Sequence, residues 1–314
     1  MFSFMQQIGL SFTLQDIRYC QLKDVKTKVV RKVGKLSLPK ELIREEGITD
    51  PALLYDVMKG WVKEERLKGK QVILSLPTSH IFIRKLKVPP MKEKDLYRYL
   101  ELEIAGSLYL PFENPVFDYT LEKGDNGEED EAILFITPGK ILNDYLDVLE
   151  ELGLHVTAVD LPSLSLLRFL TFASEEAGEG MMILYLTQEG MELYIYDRGI
   201  PEFMRSLTLE QENFVLAQGN PALRWNDVLT EIRRMFNFYQ YNMHEEEKRV
   251  THLYLFGRHS GKEEFLQILR QEFDGVTVRE VPLSYTLENG GDGELEDYAL
   301  PLGLVLRGKI HEKR

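Results

Sequence analysis

The side chains best suited to metal binding or nucleophilic chemistry are six histidines and one cysteine. A zinc site needs such ligands at short, regular spacing, and a catalytic cysteine needs a histidine brought close by the fold. Here no histidine stands at a ligand spacing from Cys20, which lies inside a strand-like run and is expected to be small and buried. The sequence therefore predicts no metal site. The histidines are His80, His155, His244, His252, His259 and His311, of which His252 and His259 flank a strand end and a loop and are interpreted as surface or capping residues.

The segment Gly257–Lys262 follows a strand-like run and precedes a helical pattern, as a phosphate-binding loop does. The spacing between its two glycines is one residue short of that motif, however. Glu263 also stands where a hydroxyl group would bind magnesium, and a carboxylate there would repel phosphate. We therefore reject a P-loop at this position.

Two acidic, glycine-containing stretches, residues 124–131 and 287–296, could be read as cation-binding loops. Short runs of Asp, Glu, Gly and Asn between strand-like segments are more typical of solvated turns. We interpret the first as the loop of a surface hairpin and the second as a mobile loop before the last helix.

Composition excludes several classes of function. The chain has 314 residues, 44% of them hydrophobic, with a net charge of −13 and a pI of about 5.1, which argues against nucleic-acid binding. Such a surface is also repelled by anionic lipids unless a local basic patch intervenes, and none is evident in the sequence. One cysteine permits no intrachain disulfide. The start lacks a signal-peptide pattern, and apolar runs such as 181–186 are too short to span a membrane, so we expect a cytoplasmic protein.

The order of predicted elements repeats once along the chain. Each half begins with three strand-like runs, followed by alternating helical and strand-like patterns, which indicates two α/β lobes. In the first half the strands are 6–12, 17–23, 29–37 and 71–76, with a helical face at 54–62. In the second half the strands are 180–186, 191–197, 202–207, 252–256 and 276–281, and the helices are 226–241, 262–273 and 297–306.

A different arrangement interrupts the first half. A strand, a helix and two further strands are predicted at residues 81–88, 93–107, 116–122 and 132–137. A helix, a strand and a helix at 140–152, 156–160 and 161–173 then return to the first lobe. We predict a first lobe over residues 1–179 that contains an insert at 78–138, and a second lobe over 180–314.

Several short segments, in this order, resemble one family of actin-like proteins, the type IV pilus assembly proteins of the PilM branch. They are Ile8–Phe12, Ile17–Leu22, Val72–Pro77, Ile83–Pro89, Tyr109–Phe112, Ala158–Asp160, Phe203–Arg205, Glu231–Tyr239 and Leu302–Gly308. The resemblance implies the actin-like fold, in which two ribonuclease H-like lobes face each other and the first carries a strand-helix-strand-strand insert.

The resemblance also implies a nucleotide site, and this sequence departs from it. Family members that bind ATP hold magnesium and phosphate with two Asp-x-Gly turns, whereas Ser11 and Thr13 stand at the first turn and Tyr185 and Thr187 at the second. Gly257-Arg258 replaces a Gly-Gly pair near the adenosine, and the segment between Arg205 and Asn226 is short, which implies a reduced upper subdomain. We therefore expect no nucleotide cofactor and no ATPase activity, because phosphoryl transfer depends on carboxylate-held magnesium.

The other activity implied by the resemblance is docking of a membrane protein. PilM-like proteins bind the cytoplasmic N-terminal peptide of the single-span protein PilN, near the insert and the first lobe. The residues that correspond to this region are Arg84, Tyr99, Glu103, Pro111 and Phe112. Three of them also have a simpler interpretation: Phe112 as a core aromatic after a helix stop at Pro111, and Arg84 as a solvated strand residue.

Alternative functions remain open from the sequence. An ATP-binding PilM-type ATPase would keep the two Asp-x-Gly turns, and an FtsA-like division protein would need a membrane helix after Leu306, where eight mostly polar residues follow. The cytoplasmic part of a type II secretion L protein shares the fold and lacks catalysis. We expect an adaptor recruited to the inner face of the membrane by its partner, with self-association also open. The sequence does not distinguish a pilus from a competence or secretion machine.

Overall fold

The computed structural model describes residues 7–26, 28–124, 129–173, 180–187, 190–209, 225–243, 248–281, 286–288 and 295–307. The strands are β1 (Gln7–Phe12), β2 (Asp16–Asp24), β3 (Val29–Ser37), β4 (Ile43–Arg44), β5 (Gly47–Ile48), β6 (Gln71–Ser75), β7 (Phe82–Val88), β8 (Pro115–Glu122), β9 (Asp130–Pro138), β10 (His155–Asp160), β11 (Met181–Leu186), β12 (Gly190–Asp197), β13 (Ile200–Thr208), β14 (His252–Gly257), β15 (Thr277–Glu280) and β16 (Thr286–Leu287). The helices are α1 (Pro51–Glu64), α2 (Glu93–Gly106), α3 (Gly139–Glu151), α4 (Pro162–Phe172), α5 (Asn226–Asn237), α6 (Lys262–Glu272) and α7 (Ala299–Val305).

The first large sheet has six strands in the order β10-β6-β1-β2-β3-β16. β1, β2 and β3 form an antiparallel meander, while β6 and β10 join it in parallel. The parallel crossover from β3 to β6 runs through α1, whose first turn is fixed by the side chain of Asp50 accepting a hydrogen bond from the Leu53 amide and by Pro51 at the first position. The sheet thus carries the predicted meander at one side and the crossover strands at the other.

The second large sheet repeats this plan with five strands in the order β13-β12-β11-β14-β15. β11, β12 and β13 are antiparallel neighbours, and β14 pairs with β11 in parallel. All six residues of β11 are buried, as expected for a strand covered on both faces. The duplicated plan predicted from the sequence is present.

The two sheets face each other across a shared layer of helices. α1 and α3 cover the outer face of the first sheet, and α5 and α6 cover the outer face of the second. α4 and α7 lie between the sheets in a common apolar core with residues such as Cys20 and Met181. Cys20 is fully buried, as predicted.

The end of the chain crosses to the first sheet. α7 packs on β1 so closely that a Cβ atom at Gly9 would lie 2.1 Å from the Pro301 carbonyl oxygen, and β16 pairs with the first residues of β3. Both elements fall in the range that the sequence assigned to the second lobe. The division at residue 179 stays a prediction, because residues 174–179 lie outside the described residues.

The insert forms its own sheet, with the order β7-β9-β8, and α2 lies on one face. Its apolar core contains Leu96, Leu100 and Ile104 from the helix, packed against alternate residues of the three strands, including Leu134 and Ile136. The predicted strand-helix-strand-strand order is confirmed, and the insert does not extend either large sheet.

Some local structure was not predicted. The β4–β5 hairpin, the 3-10 turn Thr78–His80, the π-helical turn Phe238–Met243 and the short strand β16 have too few residues to show a periodicity. Other predictions lie wholly or partly outside the described residues: the two acidic loops, the shortened segment between Arg205 and Asn226, His244, His311 and the residues after Arg307. Among the described helices, none is long and apolar enough to cross a membrane.

Candidate functional site

The two turns expected to face a nucleotide do converge. Thr13, after β1, and Thr187, after β11, line the same cavity between the two sheets, with a volume of about 50 Å³. Tyr185 contributes to its wall, whereas Ser11 is buried in β1 and does not reach it. The Thr13 hydroxyl is engaged within its own turn, where it accepts a hydrogen bond of 2.9 Å from the Asp16 amide.

A buried polar network closes one side of this cavity. The Arg18 guanidinium forms an ion pair of 2.6 Å with Asp16 and donates hydrogen bonds to the Tyr185 hydroxyl and, at 2.8 Å, to the Asp297 carbonyl. The Tyr185 hydroxyl donates to the same carbonyl at 2.6 Å. Burial raises the pKa of Tyr185, so it stays a neutral donor. Tyr185 therefore joins the two sheets where the resemblance implied a metal-binding turn.

A second carboxylate that lines this cavity is half-buried on β12. The Glu192 carboxylate accepts hydrogen bonds from the Ser206 hydroxyl at 2.9 Å and from the Tyr194 hydroxyl at 3.3 Å, and Tyr194 is 2.8 Å from the Thr78 hydroxyl. Burial raises the pKa of Glu192 to about 7. Asp16 and Glu192 are thus the carboxylates of this cavity, and neither was singled out from the sequence because their positions follow no metal-binding motif.

The segment at Gly257 and Arg258 has a structural role. Gly257 has φ +88, and a Cβ atom there would lie 1.9 Å from the Leu186 carbonyl oxygen, so the position requires glycine. Arg258 is exposed and does not line the cavity. The Lys262 ammonium pairs with Glu280 at 2.8 Å and Glu296 at 2.6 Å, which raise its pKa despite its partial burial.

These residues do not fit a magnesium nucleotide. A cavity of about 50 Å³ holds one or two waters, whereas ligand pockets have volumes of about 300 Å³ or more. Asp16 is neutralised by Arg18 and Lys35, and Lys262 is held by two carboxylates. Among the described residues, no group of three or more His, Cys, Asp or Glu side chains could hold a metal ion.

A larger groove lies between the insert and the second sheet, with a volume of about 690 Å³. β7 and β13 form its two walls, and each is an edge strand of its sheet in the described part of the chain. Thr78, Ser79 and Glu45 of the first lobe also line it. Lys85 bridges the walls by pairing with Glu202. An edge strand leaves backbone donors and acceptors free, so this groove can accept an extended chain.

Aromatic and sulfur-containing side chains make the second-sheet wall of the groove apolar. The ring centroids of Phe203 and Phe238 are 5.3 Å apart, and Phe238 is 42% exposed. Met204 and Met243 also line the groove. An exposed aromatic beside a free strand edge is typical of a surface that binds apolar side chains.

The five residues expected to contact a partner are only partly brought together. Arg84 lines the groove and donates to the Ile83 carbonyl, and Phe112 packs against Phe82 of the groove wall, with ring centroids 5.0 Å apart. Tyr99 lies beside Glu103 on α2, where partial burial and this carboxylate raise the pKa of Tyr99. Tyr99, Glu103 and Pro111 do not line the groove. The groove wall on β13 was missed because its partner strand is distant in sequence.

Comparisons with protein families and with solved structures identify proteins that are similar to this chain. Residues 9–210 match the family model described as type IV pilus assembly protein PilM. A solved PilM-PilN type IV pilus biogenesis complex has a chain similar over 98% of this chain and 99% of its own, with 18% identity and a TM-score of 0.77. The ethanolamine utilization protein EutJ from Carboxydothermus hydrogenoformans is similar over 95% and 88%, with 12% identity and a TM-score of 0.51. No curated protein sequence matches this chain.

The fold is therefore the actin-like fold, with two facing lobes and an insert in the first. Since the family model covers more than half of the chain, the chain belongs to the PilM family of type IV pilus assembly proteins.

Proposed function

We propose that this chain is a non-catalytic adaptor of a type IV pilus-type assembly complex, and that its groove binds the cytoplasmic N-terminal peptide of a PilN-like single-span membrane protein. The observation that carries the proposal is the groove between two strand edges, which offers free backbone groups on both walls. Family membership and the PilN partner in the solved relative support the choice of peptide.

The side chains of the groove suit such a peptide. Phe203, Phe238 and the two methionines provide apolar contacts for alternate residues of an extended chain. Arg84 forms no ion pair within the described residues, so it is available to a carboxylate or a backbone carbonyl of the peptide. The proposed absence of catalysis is supported by the small inter-lobe cavity, whose polar groups are engaged with one another.

The direct test is calorimetric titration of the whole chain with a synthetic peptide that corresponds to the cytoplasmic N-terminus of the PilN-like protein from the same organism. Phe238→Ala removes an exposed aromatic of the groove and should weaken binding about tenfold or more. Tyr97→Ala is the matched control, because Tyr97 is similarly exposed, at 49%, but lies on α2 outside the groove. An absence of binding to the wild-type chain, or equal losses in the two variants, would contradict the proposal.

A further inference from the structure

Although the net charge of the chain is −13, positive charge is concentrated in two segments of the first lobe. Residues 23–35 contain six basic residues and one acidic residue, and residues 63–70 contain four basic and two acidic residues. The first segment covers the end of β2 and most of β3, and the second runs from the end of α1 to β6. The two segments are distant in sequence, so only the fold can bring them together.

Contacts of Lys32 join the two segments into one surface. Its ammonium lies 2.5 Å from the Glu65 carboxylate and donates to the Glu65 carbonyl at 3.2 Å, directly beside Arg66. Arg31 and Lys32 also lie close enough to Lys70 that, together with its partial burial, they lower the pKa of Lys70. We define the basic surface as Arg31, Lys32, Arg66, Lys68 and Lys70. The expectation that the chain lacks a local basic patch is therefore wrong.

The carboxylates of the chain neutralise only part of this surface. Arg31 pairs with Glu288 at 3.4 Å, and Lys32 pairs with Glu65. Arg66 and Lys68 are exposed and form no ion pair in the part of the chain that the structure describes. In a chain with a large excess of carboxylates, these two exposed cations of one loop remain available to an external anion.

We propose that the basic surface binds the surface of an anionic phospholipid membrane by electrostatic adsorption. Juxtaposed lysine and arginine side chains are attracted to anionic headgroups within about a Debye length, and an extended membrane needs no shaped pocket. The acidic remainder of the chain is repelled, which orients this face toward the lipid. Neither basic segment contains an aromatic residue on which a base could stack or that could anchor in the membrane interface. The inference does not depend on the proposed peptide groove.

The test uses the whole chain with vesicles made either of equimolar phosphatidylglycerol and phosphatidylcholine or of phosphatidylcholine alone. The chain should sediment with the anionic vesicles at low salt, should be released by added salt, and should not sediment with the neutral vesicles. The double variant Arg66→Gln and Lys68→Gln should lower the partition coefficient about twenty-five-fold, at about fivefold for each charge removed.

The matched control is Lys94→Gln with Arg98→Gln, which removes two exposed cations from α2 and lowers the net charge equally. Equal losses in the two double variants would overturn the proposal, as would a failure of the wild-type chain to bind anionic vesicles at low salt. Tighter binding to a short DNA duplex than to the vesicles would assign the surface to nucleic acid instead. Melting curves of both variants establish that they fold.

Discussion

Arg18 of the first sheet and Tyr185 of the second meet between the two lobes, with the guanidinium 3.4 Å from the hydroxyl. Both side chains also donate hydrogen bonds to the carbonyl of Asp297, in the 3-10 turn Leu295–Tyr298 before α7. Three separate parts of the chain are thus tied at one point. A nucleotide-driven hinge would have to break this buried network.

Replacing Arg18 should destabilise the chain strongly. Arg18→Met keeps a long side chain but leaves the buried Asp16 with Lys35 as its remaining cationic partner, and breaking a buried ion pair costs up to about 3–5 kcal/mol of unfolding free energy. Chemical denaturation measures the loss, and Arg270→Met, at an exposed position of α6, is the control that should change little. A loss below about 1 kcal/mol would show that the network does not hold the lobes together.

Glu192 should make stability depend on pH. Its pKa is about 7 in the folded chain, against an ordinary value of 4.5, so the folded state holds the proton more tightly. The stabilisation is complete below about pH 4.5 and is lost as the pH rises through about 7. Glu192→Gln removes this pH-dependent stabilisation. As the pH rises from about 4.5 to about 7, the unfolding free energy of the wild-type chain should therefore fall relative to that of the variant by up to about 3 kcal/mol.

The measurement is urea denaturation of both proteins at several pH values across that range. Glu101→Gln, on the exposed face of α2, is the control and should run parallel to the wild-type chain. Parallel curves for the wild-type chain and Glu192→Gln would mean that Glu192 titrates like an exposed carboxylate.

Magnesium ATP should not bind. The cavity of about 50 Å³ is too small, and its carboxylate Asp16 is held by cations of the chain itself. A ligand that binds the folded state raises the melting temperature, so thermal shift with and without magnesium ATP is a sensitive measurement. A dissociation constant tighter than about 100 μM, roughly −5.5 kcal/mol, would contradict both this prediction and the proposed lack of catalysis.

Phe112 should support peptide binding through Phe82. Phe112→Ala removes the ring that packs behind this groove residue, and loss of an aromatic anchor commonly costs about 2 kcal/mol, or about thirty-fold in affinity. Phe117→Ala is the control, because Phe117 is equally part of the insert core but stacks on Tyr97, away from the groove. Melting curves separate lost contact from an unfolded insert. Unchanged peptide affinity in a folded Phe112→Ala and Tyr99→Ala double variant would place the docking site elsewhere.

The sequence by itself determined the elements of this fold. Alternation of apolar and polar residues, together with helical spacing, placed the four elements of the insert within about two residues of their observed ends. This is possible because the spacing of apolar residues within each element defines its buried face. The burial of Cys20 and the lack of a carboxylate at Ser11 and Tyr185 also follow from local sequence. These properties need no knowledge of which element packs against which.

Only the tertiary structure decided how distant segments combine. Periodicity shows that α7 is apolar, but not that it packs on the first sheet between two lobes. Edge strands such as β7 and β13 resemble any other strands in sequence, so their groove arises only when the insert is set beside the second sheet. The basic surface likewise depends on Lys32 reaching Glu65, since charges add in space and not along the chain.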